Sequence, residues 1–472
     1  MYRYQISNYY EKKIPNIALI YLPLNKNGFA DILSIDLEYT LKLKKAKNKI
    51  NEINFSLWED IKNYTNPYEL IYVFNNHHCN TYHNNQYKDR NDRNDRNDRN
   101  DRNDRNDRND RNDRNDRNDR NDRNNDRNDK YDRNINNVSS IANIKPLSRS
   151  FFKMVEIINE FIPKISDVEN VINSLHIAEG PGGFIEATRY IRKQLEKCNG
   201  EKCNSDKAFG ITLIDDTHKN VPAWKQSNIF LRNNPEVIIS TGIDGTGNIY
   251  NTENILFLDK QIKEHYTKNA VVDNVVDNVI DFITADGGFD YSIDYNYQEQ
   301  ASSKLIFSQI ITALKCQKIG GDFVCKFFEL NSYLTVEMLY ILYLSYEKIT
   351  IYKPFTSRIA NSEKYIICNE YVGIDAKFLD ELFNILKDWN NKNDNHNKTL
   401  NQLFTEIPIL FIEKINDLNK KIIDNQIQSI NNIVNIIKKK TNLNKDWKKQ
   451  NLQKNIIFAK EWCKKYKIPY ER

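Results

Sequence analysis

The sequence predicts an α/β fold built on a doubly wound, Rossmann-like, mostly parallel sheet, and two observations carry the prediction. Across about residues 146–371, apolar runs of strand length alternate with stretches of helical periodicity. The residues able to do chemistry cluster just beyond the carboxyl ends of those runs, where open α/β sheets bind their ligands. Candidate strands cover 175–179, 209–214, 237–241, 282–286, 323–328, 349–352 and 365–369. Candidate helices include 300–314 and 335–345, and residues 148–157 read as an amphipathic helix carrying Lys153.

That domain is assigned to residues 140–375, about half of a chain of 472. Residues 1–88 hold short apolar runs at 17–22 and 70–74 and Trp58, enough to fold, in a role their types do not reveal. Residues 89–134 repeat Asn-Asp-Arg with almost nothing apolar to bury, so a disordered low-complexity insert is expected. One Asp per Arg also cancels the field that a phosphate-binding arm needs. Residues 376–472 become helical and basic. Ile427, Ile430, Val434 and Ile437 share one helix face. Lys438, Lys439, Lys440, Lys445, Lys448 and Lys449 are interleaved with Trp447, Phe458 and Trp462, either as a solvated face or as a contact for RNA or a partner.

Overall charge says little: 69 basic against 64 acidic residues leave a net +5, so any nucleic-acid argument rests on local clustering. Seven scattered cysteines show no disulfide framework and point to a reducing, intracellular setting. No apolar run reaches the roughly 20 residues that span a bilayer, so a soluble protein without a membrane partner is expected. Cys198 with Cys203, and His77, His78, Cys79 and His83, lack the second half of a zinc site, and no metal is expected.

One apolar run ends at Ala178-Glu179, turns through Gly180-Pro181-Gly182-Gly183 and enters a helix at Phe184. Backbone that turns sharply beyond a strand and admits a ligand needs glycine. No Gly-Lys-Ser/Thr follows, which excludes a P-loop, and the Gly-x-Gly-x-x-Gly of dinucleotide sites is absent from this turn. A later run ends in Ala285-Asp286-Gly287-Gly288-Phe289. Lys326 interrupts the apolar run 324–328, where desolvation penalises an ammonium unless an acid stands near. A polar loop then carries Asn361 and Glu363 into the run at Tyr365. Taken singly, Asp286 reads equally as a helix cap, Lys326 as an edge lysine, Glu363 as a surface acid and Lys153 as a helix lysine with a packed stem.

Taken together and in this order, Lys153, Asp286, Lys326 and Glu363 resemble the Lys-Asp-Lys-Glu tetrad of the FtsJ-like 2′-O-ribose RNA methyltransferases. The nearer resemblance is to the cap-specific mRNA enzymes that make cap 1. Gly-Pro-Gly-Gly-Phe at 180–184, Ala-Asp-Gly-Gly-Phe at 285–289, Cys-Lys-x-Phe at 325–328 and Thr-Ser-Arg-x-Ala-Asn-Ser-Glu at 356–363 carry it, with the segment 242–255. The resemblance implies a methyltransferase sheet of seven strands, the last antiparallel, with helical extensions. It further implies S-adenosyl-L-methionine as cofactor and capped RNA as partner, with other capping or transcription proteins beside it. On this reading Ser148, Ala178, Glu179, Gly180, Pro181, Gly182, Gly183 and Phe184 line the cofactor. Asn248 and Ile249 fall where the family has an Asp-Ile pair at the adenine; the amide keeps an acceptor and loses the charge. Asn296, Tyr297, Gln298 and Asn361 fall at the capped substrate, and Asp215 or Asp216 is a candidate for the ribose hydroxyls.

A ribose 2′-hydroxyl is a poor nucleophile, so such an enzyme must align the reacting atoms and help remove one proton. Lys326 is the expected acceptor, its neutral form favoured by Lys153 and partial burial, with Asp286 and Glu363 orienting the lysines. The expected reaction is 2′-O-methylation of the first transcribed nucleotide of capped mRNA. The alternatives are the second cap nucleotide, ribosomal or transfer RNA, and an inactive RNA-binding scaffold that keeps only the fold.

Overall fold

The computed structural model describes residues 2–6, 12–24, 30, 32–73, 139–199, 205–218, 221–267, 278–289, 295–396, 398–439 and 445–471. The Asn-Asp-Arg repeat, the cluster from His77 to His83, Cys203 and Lys440 lie outside them, as does the side chain of Cys198. Residues 1–71 and 141–472 form one compact unit and residues 72–140 another. Within the first unit, the Ile141 amide donates to the Leu70 carbonyl (2.9 Å) and the Ala142 amide to that of Ile71 (3.1 Å). The chain therefore leaves at 71 and re-enters at 141 side by side.

Ten strands occur among the described residues: β1 (Tyr2–Ile6), β2 (Ile17–Pro23), β3 (Asn173–Ile177), β4 (Lys207–Ile211), β5 (Val237–Ser240), β6 (Ile280–Ala285), β7 (Gln317–Phe327), β8 (Tyr346–Lys353), β9 (Lys364–Tyr371) and β10 (Lys398–Phe404). β2 and β10 pair with each other, and the other eight form one sheet in the order β1-β8-β9-β7-β6-β3-β4-β5. The strands from β5 to β7 run parallel, and β9 is antiparallel to both β7 and β8. All seven candidate strands are present, including the antiparallel last one. The count of seven is corrected to eight, because β1 pairs antiparallel along β8. An edge strand leaves a row of unmet amides and carbonyls, and Tyr2–Ile6 covers the one that β8 would expose.

The helices are α1 (Leu37–Asn51), α2 (Phe55–Thr65), α3 (Ser150–Phe161), α4 (Gly183–Asn199), α5 (Asn228–Arg232), α6 (Thr252–Thr267), α7 (Gln298–Cys316), α8 (Tyr333–Ser345), α9 (Ala376–His396), α10 (Ile409–Lys438) and α11 (Lys445–Lys465). The central strands are buried on both faces, as parallel strands covered by helices must be. On one face Cys325 of β7 meets Gln309 of α7. Successive strand residues alternate, so Lys326 faces the other side, where Phe184 of α4 packs on Tyr365 of β9 with ring centroids 5.8 Å apart.

The terminal segments join the same unit. Ala46 of α1 packs with Ile430 and Val434, and Ile61 and Tyr64 of α2 with Ile433 and Ile437, so the apolar face of α10 is covered. Trp462 is core, its indole N–H donating to Glu156 (3.1 Å), whereas Phe458 is 41% exposed. Lys438, Lys448 and Lys465 pair with Glu52, Asp60 and Glu160, which offsets part of the basic tail. No helix among the described residues is long and apolar enough to cross a membrane. Ile6 on β1 is 1% exposed within the main core. Ile6→Ala should therefore cost about 2–4 kcal/mol in urea unfolding, and a loss under about 0.5 kcal/mol would mean that β1 adds little to the sheet.

Candidate active site

Strand register assembles the site. His176 and Ile177 of β3 lie beside Thr284 and Ala285 of β6, and Ala285 lies beside Cys325 of β7. Lys326 is in turn opposite Tyr365 on β9. The next residues out, Ala178-Glu179, Asp286 and Glu363, therefore emerge at one edge of the sheet. His176 itself is a core residue, held between Thr284 and Ser174, and burial lowers its pKa to about 3.

Two ion pairs stand at that edge. Lys153 of α3 meets both carboxylate oxygens of Glu363, at 2.7 and 2.8 Å. Lys326 lies 3.2 Å from the Asp286 carboxylate and donates to the Asp286 carbonyl at 2.6 Å. The Tyr365 hydroxyl donates to the same carboxylate (3.1 Å). All four charged side chains are between 12 and 15% exposed, shielded and still within reach of a substrate. Burial alone would raise the Glu363 pKa, but Lys153 and Lys326 hold it down to about 2.

The glycine turn begins at Ala178, whose φ is +53°, and Glu179. One oxygen of the buried Glu179 carboxyl accepts from the amides of Phe184 and Ile185, capping α4. Its other oxygen has no partner among the described residues. Burial, with Asp286 nearby, pushes this carboxyl well above the usual range. Gly182 has φ +113°, and a Cβ on Gly183 would collide with the hydroxyls of Ser148 and Ser150, so Ser148 lies against the turn. The Gly180 amide donates to Thr212 (3.1 Å), and the Ser227 hydroxyl donates to the Pro181 carbonyl. A Cβ on Gly247 would strike the Thr212 carbonyl, which places the loop of Asn248 and Ile249 beside the turn. There Asn248 accepts from the Tyr250 amide (3.0 Å), while Ile249 is buried. Asp215 is committed to its own turn, accepting from Thr217 and His218, and Asp216 is exposed.

Asn361 is tied to the ion pairs. Buried Lys353 donates to its carbonyl (2.9 Å), to its side-chain oxygen (2.7 Å) and to the Glu363 carbonyl (2.6 Å). Asn296 and Tyr297 lie instead against α1: Asn296 donates to Asn48 (2.8 Å), and Lys44 stands 5.5 Å above the Tyr297 ring. Gln298 begins α7. The sequence reading missed Lys353, Ser357, which donates to Glu363 at 2.9 Å, and Tyr365. The signal that could find Lys353 is a lysine closing an apolar strand, akin to that of Lys326.

Residues 146–371 match the family model described as FtsJ-like methyltransferase. This segment is an FtsJ-like methyltransferase domain. Cap-specific mRNA (nucleoside-2′-O-)-methyltransferase 1 of Mus musculus is 32% identical over 231 residues, 48% of this chain and 25% of that protein. The human protein of the same name is 33% identical over 218 residues, 45% of this chain and 23% of its own. That of Dictyostelium discoideum is 32% identical over 224 residues, 47% of this chain and 28% of its own. The chain thus spans about a quarter of the length of the curated relatives it matches.

The methyltransferase domain uses S-adenosylmethionine as methyl donor, and the site fits such a group. The orphaned Glu179 oxygen and the orphaned indole N–H of Trp224, which packs near Gly182, are polar atoms awaiting a partner. Gly288 keeps the approach to Lys326 open, since a Cβ there would come within 3.0 Å of the amine.

Because Glu363 titrates below its ordinary 4.5 in the fold, its ion pair stabilises the protein above about pH 4.5 and that stability is lost as pH falls toward 2. Glu363→Gln should be less stable than the parent near neutrality, with the gap closing on acidification. Denaturant unfolding across that range checks this, and a gap independent of pH would contradict it.

Proposed function

We propose that the chain methylates the ribose 2′-hydroxyl of the first transcribed nucleotide of capped mRNA, converting cap 0 to cap 1. The observation that carries the reading is the pairing of Lys153 with Glu363 and of Lys326 with Asp286 at the edge of the sheet that also bears the glycine turn. The names of the curated relatives support the choice of substrate.

S-adenosylmethionine, when bound, supplies a methyl group already activated on a sulfonium. The chain must then hold the hydroxyl in line and take its proton. Lys326, as the neutral amine that has first released a proton to solvent, accepts the hydroxyl proton; Asp286 holds the amine in place and is itself held by Tyr365. Lys153 and Glu363 neutralise each other beside it, so the pocket gains orientation without excess charge. Ala178 to Phe184, with Ser148, Asn248 and Ile249, form the cofactor wall. Asn361 on its Lys353 anchor, and Asn296 to Gln298, are the substrate contacts.

Labelled S-adenosylmethionine with uncapped, guanosine-capped and 7-methylguanosine-capped RNA, followed by digestion, identifies the acceptor. Label on the first transcribed nucleotide of capped RNA alone is the expected result. Label on the second nucleotide, or on uncapped RNA, would replace the substrate assignment. Lys326→Ala should lower kcat by a factor of about 100 or more while calorimetry still detects cofactor binding. Full turnover in that variant would remove Lys326 from its role.

A further inference from the structure

A large cleft, about 650 Å³, lies outside the methyltransferase domain for most of its lining, between α2, α10 and α11. Three amides of α10, Asn425, Gln428 and Asn432, fall at helical spacing along one wall. All three are exposed, and none has a side-chain partner among the described residues. The facing walls offer rings: Tyr64, Trp447 and the exposed Phe458. Lys454 stands on the same lining, and among the described residues no aspartate or glutamate does. In a chain this rich in carboxylates, a large cleft free of them suits an anion.

Rings for stacking, unpaired amides for base edges and a lysine, here Lys454, with no acid on the same lining are the means by which proteins hold unpaired nucleotides. The cleft also reaches the reaction site. Lys353 and Ile359 line it, and Lys353 holds the carbonyls of Asn361 and Glu363.

We propose that this cleft seats single-stranded RNA, holding the nucleotides of the substrate that lie beyond the methylated one. The inference rests on the RNA-methylating reading above. It assigns a function to α2, α10 and α11, which lie outside the matched domain: gripping the transcript in a way that depends on its length and little on its sequence.

The test compares RNAs by fluorescence anisotropy on the full chain: a capped dinucleotide, a capped strand of about a dozen nucleotides, and the same strand uncapped. The intact chain should bind the longer capped strand about tenfold or more tighter than the dinucleotide. The double variant Gln428→Glu, Asn432→Asp should lose that advantage, since it sets two carboxylates where the phosphates would run. Both side chains are exposed on the cleft wall, so the folded core should be unaffected. Equal affinity of parent and variant for the longer strand would overturn the proposal. So would a parent with no length preference, or a variant that loses only a protein partner while its RNA binding is unchanged. Length-dependent binding that the variant abolishes, without methylation of any RNA, would sustain the cleft and defeat the catalytic reading.

Discussion

Four lysines of the methyltransferase domain, Lys153, Lys326, Lys353 and Lys364, bring cations to the edge of an apolar sheet, and each is tolerable there only with acceptors around it. Burial lowers Lys364 to about 8 even though Glu329 stands near and the carbonyls of Phe328 and Ser362 accept from it. Burial also pushes Lys353 well below its ordinary value, with Glu363 acting in the opposite direction. The need to satisfy these amines fixes the loop from Pro354 to Glu363, because its carbonyls and side chains are what the amines bind. The candidate site is thus shaped by the solvation of its own charges as much as by the sheet.

Segments outside the matched domain complete the arrangement. Glu69, just after α2, pairs with Arg358 and Arg149, and those guanidiniums outweigh its burial and keep its carboxyl ionised. Lys47 of α1 meets Glu329, which also accepts from Ser362, the neighbour of Glu363. From the other end of the chain, Trp462 donates to Glu156, which also receives the Tyr352 hydroxyl and the Phe355 amide. Burial raises that carboxyl, and these donors, with Thr356, work against the rise. The loop from Pro354 to Glu363 is consequently clamped by segments from both ends of the chain, which also wall the cleft.

The parts of this structure legible in the sequence are those with a local signature. The strand from Ile280 to Ala285 and the turn after Glu179 announce themselves through apolar runs and glycines. The tetrad was legible because its four residues follow a known order. What escaped depends on contacts between distant segments. Nothing local in Tyr2–Ile6 says that it will cover β8, and nothing near Glu69 says that it will bind Arg358, 289 positions away. The aromatics of the tail show the same limit: Trp462 and Phe458 have similar local settings, yet one is buried on Phe152 and the other is exposed.

The two amides that pin residues 141 and 142 to residues 70 and 71 have a consequence for insertion. With those ends fastened together, the body of the protein is indifferent to how much sequence lies between them. For an intervening segment that does not fold, each doubling in length adds only about 0.6 kcal/mol of closure entropy. A repeat such as Asn-Asp-Arg inserted there can then gain or lose copies with little penalty to the body that carries the site.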